Sequence, residues 1–154
     1  QWDGRDARQV VGQWREDRSS VLVGTRSMMT GVDAAGDTCS LVIVDRAPRN
    51  PAGIVDDARA KVLMDAGLSR WSAIDAVYVW DAALLLEQAA GRLIRSLDDS
   101  GMVAVLDPRL MKNAPLSYQE KTRSIYMSAL RRFSVRTSSL DAALDYLSGD
   151  RKAA

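Results

Sequence analysis

Leu41-Val42-Ile43-Val44 is an apolar run without polar alternation, and it closes abruptly on Asp45-Arg46-Ala47-Pro48. Such a run fits a strand buried on both faces, the habit of parallel sheets covered by helices. Working outward, the same pattern occurs upstream in Val21-Leu22-Val23 and downstream in Met102-Val103-Ala104-Val105-Leu106. Helical spacing separates the three. Ala7, Val10, Val11 and Trp14 recur at i, i+3, i+4 and i+7 before the first run. A helix through Gln88–Arg95, with Asp81 near its start as N-cap, precedes the third. Beyond it, a helix opening near Ser117 aligns Tyr126, Ala129, Leu130 and Phe133, and a last one through Leu140, Ala143, Leu144 and Leu147 stops at Gly149. Alternating strand and helix predict an α/β domain, layered around a mainly parallel central sheet.

Composition narrows the chemistry. The chain has 154 residues, 47% of them hydrophobic, which is one domain with a sizeable core. Its 21 basic and 20 acidic side chains leave a net charge of +1, so any nucleic-acid contact must be local. There is no histidine, which removes Ser-His-Asp and Cys-His catalysis and any imidazole metal site. The single Cys39 rules out an internal disulfide or a cluster held by this chain alone, and makes a reducing cytoplasm the expected compartment. No apolar stretch reaches the roughly 18 residues of a membrane span. The chain begins at Gln1 rather than at methionine and is expected to be a piece of a longer protein.

Gln88, Arg92 and Arg95 stand at i, i+4 and i+7, so a helix would project all three from one face, with Leu86, Ala90, Leu93 and Leu97 opposite. Gly91 sits beside that stripe, where a missing Cβ admits a backbone or a ligand. Two permanent cations and an amide aimed together suit a polyphosphate. A solvated or carboxylate-paired face is the plainer alternative. The three strands end in Gly24-Thr25-Arg26, Asp45-Arg46-Ala47-Pro48 and Asp107-Pro108-Arg109, at the carboxyl edge where open parallel sheets place ligands. For Asp107 and Arg109, a salt bridge tying the sheet edge to a neighbouring helix is weighed slightly above ligand contact. The segment of about 50–80 is too long for a turn. It carries a helical stretch, Ile54 to Gly67, and crowds Trp71, Tyr78 and Trp80 into ten residues, suited to base stacking or to a satellite core.

Two blocks together resemble a family. Val21-Leu22-Val23-Gly24-Thr25-Arg26-Ser27-Met28-Met29-Thr30-Gly31-Val32-Asp33 is similar to motif V of superfamily-two helicases, and Leu86-Glu87-Gln88-Ala89-Ala90-Gly91-Arg92-Leu93-Ile94-Arg95 to their motif VI. Asp99-Ser100-Gly101, a strand and Asp107-Pro108-Arg109 after the second block, with Leu41 to Pro48 between the two, resemble the DinG/XPD-type DNA helicases most. The likeness covers about residues 5 to 135. It implies the second of two RecA-like lobes, a three-layer domain spanning residues 1–154 with an insertion at about 50–80. By the same resemblance, ATP with Mg²⁺ would be shared with a first lobe absent from this chain. Arg92 and Arg95 would be arginine fingers, and Gln88 would orient the γ-phosphate or the attacking water. Gly31, Asp33 and Gly91 would lie at the nucleotide, and Thr25 and Arg26 would meet phosphates of single-stranded DNA. Met28, Met29 and Thr30 stand where the family commonly has an acidic residue and aromatics, and Ala34 where an aromatic is frequent. No phosphate loop, D-E-x-H block or iron–sulfur cysteine set occurs. The lobe alone is therefore expected to lack ATPase activity. The alternative is a non-catalytic protein- or DNA-binding module derived from such a lobe.

Overall fold

A computed structural model describes residues 6–32, 39–49, 51, 53–93 and 100–149. The sheet consists of β1 (Leu41–Val44) and β2 (Met102–Val105), parallel and in the register Leu41↔Met102 through Val44↔Val105. The pairing extends at both ends, with Met102 N donating to Ser40 O and Leu106 N to Val44 O, each at 2.9 Å. A parallel pair needs a long crossover. Here it is largely helical: α3 (Ile54–Asp65), α4 (Arg70–Ile74), a π-helical turn (Asp75–Val79) and α5 (Trp80–Ala90). The remaining helices are α1 (Ala7–Glu16), α2 (Met28–Gly31), α6 (Glu120–Ser128) and α7 (Leu140–Ser148). The α/β class is therefore as the sequence predicts.

The main core lies between the sheet and the pair α5–α6. Val44, Ala47, Val79, Ala82, Ala83, Leu86, Ile125, Tyr126 and Ala129 form it, with Val42, Val105 and Met29 packed against it. Val42 and Val44 share a strand face because side chains alternate along a strand. Ile43 points the other way and is 59% exposed. The expectation of burial on both faces thus fails for β1: among the described residues, the core helices cover only the Val42 and Val44 side.

Val21-Leu22-Val23 also departs from expectation. It pairs with neither described strand, and Val21 and Val23 are 84% and 88% exposed. Among the described residues it has no neighbour to complete a ladder, and apolar composition alone does not make it a strand.

The helix before β2 starts earlier and ends sooner than its pattern suggests. Ser69, whose hydroxyl accepts from Ser72 N at 3.2 Å, is the cap, and Asp81 lies inside a continuous helical stretch running from Arg70 to Ala90. Ala73 and Val77 bury into a satellite core with Ala60 and Tyr78, whereas Val79, Ala82 and Leu86 bury into the main one. The π turn between them inserts one residue into the winding and so lets one helix serve both. At the other end Gly91 is the C-cap, and the next amides tighten to i→i−3 bonds, Arg92 N to Ala89 O and Leu93 N to Ala90 O. A Cβ on Gly91 would stand 3.2 Å from Glu87 O, so the close approach its glycine permits is to its own helix.

Helix α6 opens at Glu120 rather than near Ser117, because the Ser117 hydroxyl turns back to donate to Met111 O and Ala114 O and closes the preceding loop. Helix α7 matches its prediction in running through Leu140 to Leu147 and ending at Gly149, whose φ of 81° is a left-handed conformation that suits glycine, and the structure adds Ser139 as its N-cap.

Candidate nucleotide and nucleic-acid site

Motif V and motif VI meet. The turn Gly24-Thr25-Arg26 leads into α2, where Met28 N and Met29 N donate to Thr25 O and Arg26 O at 2.9 and 3.0 Å. Met29 tucks its side chain toward the core and leaves its carbonyl to accept from Arg92 Nε at 3.2 Å. That bond spans sixty-three residues of sequence and anchors the Arg92 stem on the motif V helix. Arg92 is half-buried, in the turn after α5. Gln88 is exposed in the last turn of α5, opposite the buried Leu86, Ala89 and Ala90. The predicted single helical stripe is corrected: Gln88 is helical, but Arg92 hangs from the capping turn because the helix stops at Ala90.

Thr25 and Arg26 are exposed, with Thr25 Oγ1 3.0 Å from Ser27 Oγ, a hydroxyl pair facing solvent. Gly31 ends α2, and Val32 beyond it is buried. Arg95 and Asp33 lie outside the described residues.

The carboxyl edge of the sheet is organised by Asp107, which is only 2% exposed. Its carboxylate accepts from Ala47 N at 3.1 Å, from Arg109 N at 3.1 Å, and from Arg109 Nε and Nη2 at 2.8 Å each. The guanidinium also lies over the Tyr118 ring, 4.8 Å from its centre. Burial alone would push the Asp107 carboxyl up, but the donors from Arg109 and Ala47 outweigh it and hold it below the usual carboxylate range. The salt bridge favoured by sequence is present, but it closes within the segment after β2 instead of reaching a neighbouring helix, and the bond from the Ala47 amide to Asp107 is what joins the ends of β1 and β2. Behind it, Tyr118 and Tyr126 pack with ring centres 5.4 Å apart. Burial, then the neighbouring Tyr118, pushes the Tyr126 hydroxyl up to about 12, and that hydroxyl has no hydrogen-bond partner among the described residues.

In the crossover, Tyr78 donates to Asp57 Oδ1 at 2.5 Å and supplies the satellite core, while Trp71 and Trp80 remain 62% and 55% exposed. Sequence reasoning missed the Met29 carbonyl, the Ala47 amide and the buried Thr122–Asp75 hydrogen bond of 2.8 Å. The first two are backbone groups, which no residue-type pattern marks. Among the described residues there is no cluster of three or more metal-ligating side chains.

The family model for the helicase C-terminal domain matches residues 1–124, most of the chain. The chain belongs to the helicase C-terminal domain family. Two of its relatives are ATP-dependent helicases and a third is an exonuclease. The ATP-dependent DNA helicase YoaA of Escherichia coli is 39% identical over 104 residues, covering 67% of this chain and 16% of that protein. The ATP-dependent helicase DinG of Mycobacterium tuberculosis is 38% identical over 102 residues, 66% of this chain and 15% of its own. The 3'-5' exonuclease DinG of Bacillus subtilis is 28% identical over 102 residues, 66% of this chain and 11% of its own. This helicase C-terminal domain, of the DinG type, thus spans about a sixth of the length of the first two. No solved structure matches the chain. Among the described residues no helix is long and apolar enough to cross a membrane.

Proposed function

We propose that this chain is the second, RecA-like motor lobe of an ATP-dependent DNA helicase of superfamily two, completed by a first lobe that grips the triphosphate and Mg²⁺. Arg92 and Arg95 act as arginine fingers on the β- and γ-phosphates, and Gln88 orients the terminal phosphate or the attacking water. Gly31, Asp33 and Gly91 line the nucleotide edge, while Thr25 and Arg26 contact phosphates of single-stranded DNA. The donor set fits phosphate oxygens: an anchored guanidinium and a solvent-facing amide lie within five residues. It does not fit Mg²⁺, whose hard oxygen ligands must come from the companion lobe.

The observation that carries this reading is the Arg92–Met29 bond, which ties the two motifs into one edge. Phosphoryl transfer spreads negative charge over equatorial oxygens, and a positioned arginine stabilises that charge by about 10³–10⁵ in rate. In a protein containing both lobes, Arg92→Ala should lower ATP turnover by about 10³ or more while DNA binding stays near wild type. Wild-type turnover refutes the finger assignment. The isolated chain has no phosphate loop and hydrolyses no ATP on this reading. The second reading, a non-catalytic binding module, is favoured by the exposed Trp71 and Trp80. It predicts that Arg92→Ala changes nothing measurable in the full protein.

A further inference from the structure

Formal charge is unevenly distributed along this nearly neutral chain. Between Arg109 and Arg136 stand seven cations and one carboxylate, Glu120, whereas the rest carries fourteen cations and nineteen carboxylates. Helix α6 displays part of this excess. Its Thr122, Ile125 and Tyr126 are buried. Lys121, Ser124, Ser128 and Arg131 follow at i, i+3, i+7 and i+10, all exposed, so they run as one stripe along α6 and its closing turn. A cation stands at each end of it with two hydroxyls between, and none of the four is an acid.

Across from that stripe lies Trp80. It belongs to α5 and, with Ser128 and Arg131, lines an open groove of about 330 Å³ between α5 and α6. More than half of the indole is exposed. Two carboxylates also face the groove, both on the α5 wall. Asp81 stands next to Trp80, and Glu87 is met by Arg132 at 3.7 Å. Among the described residues neither Lys121 nor Arg131 has an ion-pair partner, so an anionic ligand is drawn to the α6 wall, where Arg131 lines the groove opposite Trp80 and Lys121 continues the stripe beyond it.

We propose that the α5–α6 groove is a binding site for single-stranded nucleic acid, with backbone phosphates along Lys121, Ser124, Ser128 and Arg131 and one base stacked on Trp80. It deepens the helicase reading by adding a contact apart from Thr25 and Arg26, and shares with it only the substrate class. A tryptophan face can take a base only when that base is unstacked from its neighbours, so a single strand fits and a duplex does not. The pairing of a cationic track with an aromatic platform is the arrangement used to hold single strands without reading their sequence. Lys121 and Arg131 supply the salt-dependent part and Trp80 the salt-insensitive part.

The test uses the whole chain, a fluorescent oligothymidylate of about fifteen nucleotides, and the same backbone without bases, followed by anisotropy over a range of salt. Trp80→Ala should weaken oligothymidylate binding about tenfold and leave the abasic strand unaffected, since stacking alone is removed. Lys121→Ala and Arg131→Ala should each weaken both ligands and flatten the slope of log K against log salt by about 0.7. Trp71→Ala removes an equally exposed tryptophan that does not line the groove, and should bind as wild type. Unchanged circular dichroism establishes that each variant is folded. The proposal is overturned if Trp80→Ala binds oligothymidylate like wild type, if the slope is insensitive to Lys121 and Arg131, or if the wild-type chain binds no oligonucleotide, which would leave the groove to a protein partner. ATP turnover in the two-lobe protein is read separately, so either conclusion can fail without the other.

Discussion

Replacing Asp107 with alanine should destabilise the lobe by about 2–4 kcal/mol, a figure assembled from its contacts. The carboxylate is buried and receives five donors: three from Arg109, one from the Ala47 amide and, at 3.4 Å, the Tyr118 hydroxyl. Breaking a buried ion pair from one side costs about 3–5 kcal/mol, because the abandoned charge keeps its desolvation penalty. Arg109 is not fully buried: its side chain keeps 34% exposure, so water recovers part of that penalty. The Ala47 amide has no such relief and loses a charge-assisted bond worth about 1.5–3 kcal/mol. The two losses fall on one carboxylate and are not summed; with Arg109 partly hydrated, the ion-pair figure drops to about 2–4 kcal/mol. Urea unfolding followed by circular dichroism reads this as a lower midpoint at unchanged slope. Asp107→Asn, which keeps an acceptor for Ala47 but loses the charge, should fall between wild type and the alanine variant. A second signature follows from the depressed acidity of Asp107. A carboxyl held lower in the folded state than in the unfolded chain contributes stability above its unfolded value, about 3.9, and that contribution disappears as pH falls through the folded value. Asp107→Ala should lack this share of acid sensitivity. A loss below about 0.5 kcal/mol, the range of ordinary surface substitutions, would refute the role of Asp107 as the fastening between the two strand ends.

Tyr126→Phe removes a buried hydroxyl that has no partner among the described residues and should leave the lobe as stable at neutral pH or raise its stability by about 1 kcal/mol. Because the Tyr126 hydroxyl is raised to about 12, its contribution is present below the unfolded value of about 10 and fades as pH rises from there. Alkaline unfolding monitored by tyrosinate absorbance should therefore begin later in the phenylalanine variant, and a clear loss of stability at pH 7 would contradict the unpaired hydroxyl. Thr122→Val, nearly the same in volume, leaves the buried Asp75 without its 2.8 Å donor and should cost about 1–3 kcal/mol by urea unfolding. No measurable change would show that Asp75 finds water instead.

Periodicity and capping chemistry made much of the fold legible. The strands β1 and β2 and their parallel sense follow from two unbroken apolar runs, and α7 from a leucine face and a terminal glycine. What sequence misread depended on neighbours or backbone. Val21 to Val23 has the composition of a strand but no described partner to pair with. Gln88 to Arg95 keeps a helical repeat across Gly91, yet the winding stops at Ala90, so the predicted stripe is broken between Gln88 and Arg92. Asp107 and Arg109 were readable as a pair because two residues separate little in space. Their third member, the Ala47 amide, was invisible for want of a side chain. The same holds for Met29, which serves Arg92 through its carbonyl.

The parallel strands have a consequence for how the chain assembles. Leu41 finds its partner at Met102, sixty-one residues downstream. Closing so long a loop exacts entropy before any ladder bond can return it, which slows barrier crossing in folds dominated by distant pairings. During synthesis the first strand therefore emerges without its mate, while the helices between them, rich in local contacts, can condense first. The backbone edge of β1 stays unpaired through that interval, open to other nascent chains until the second strand arrives, and the Ile43 side chain stays exposed even then.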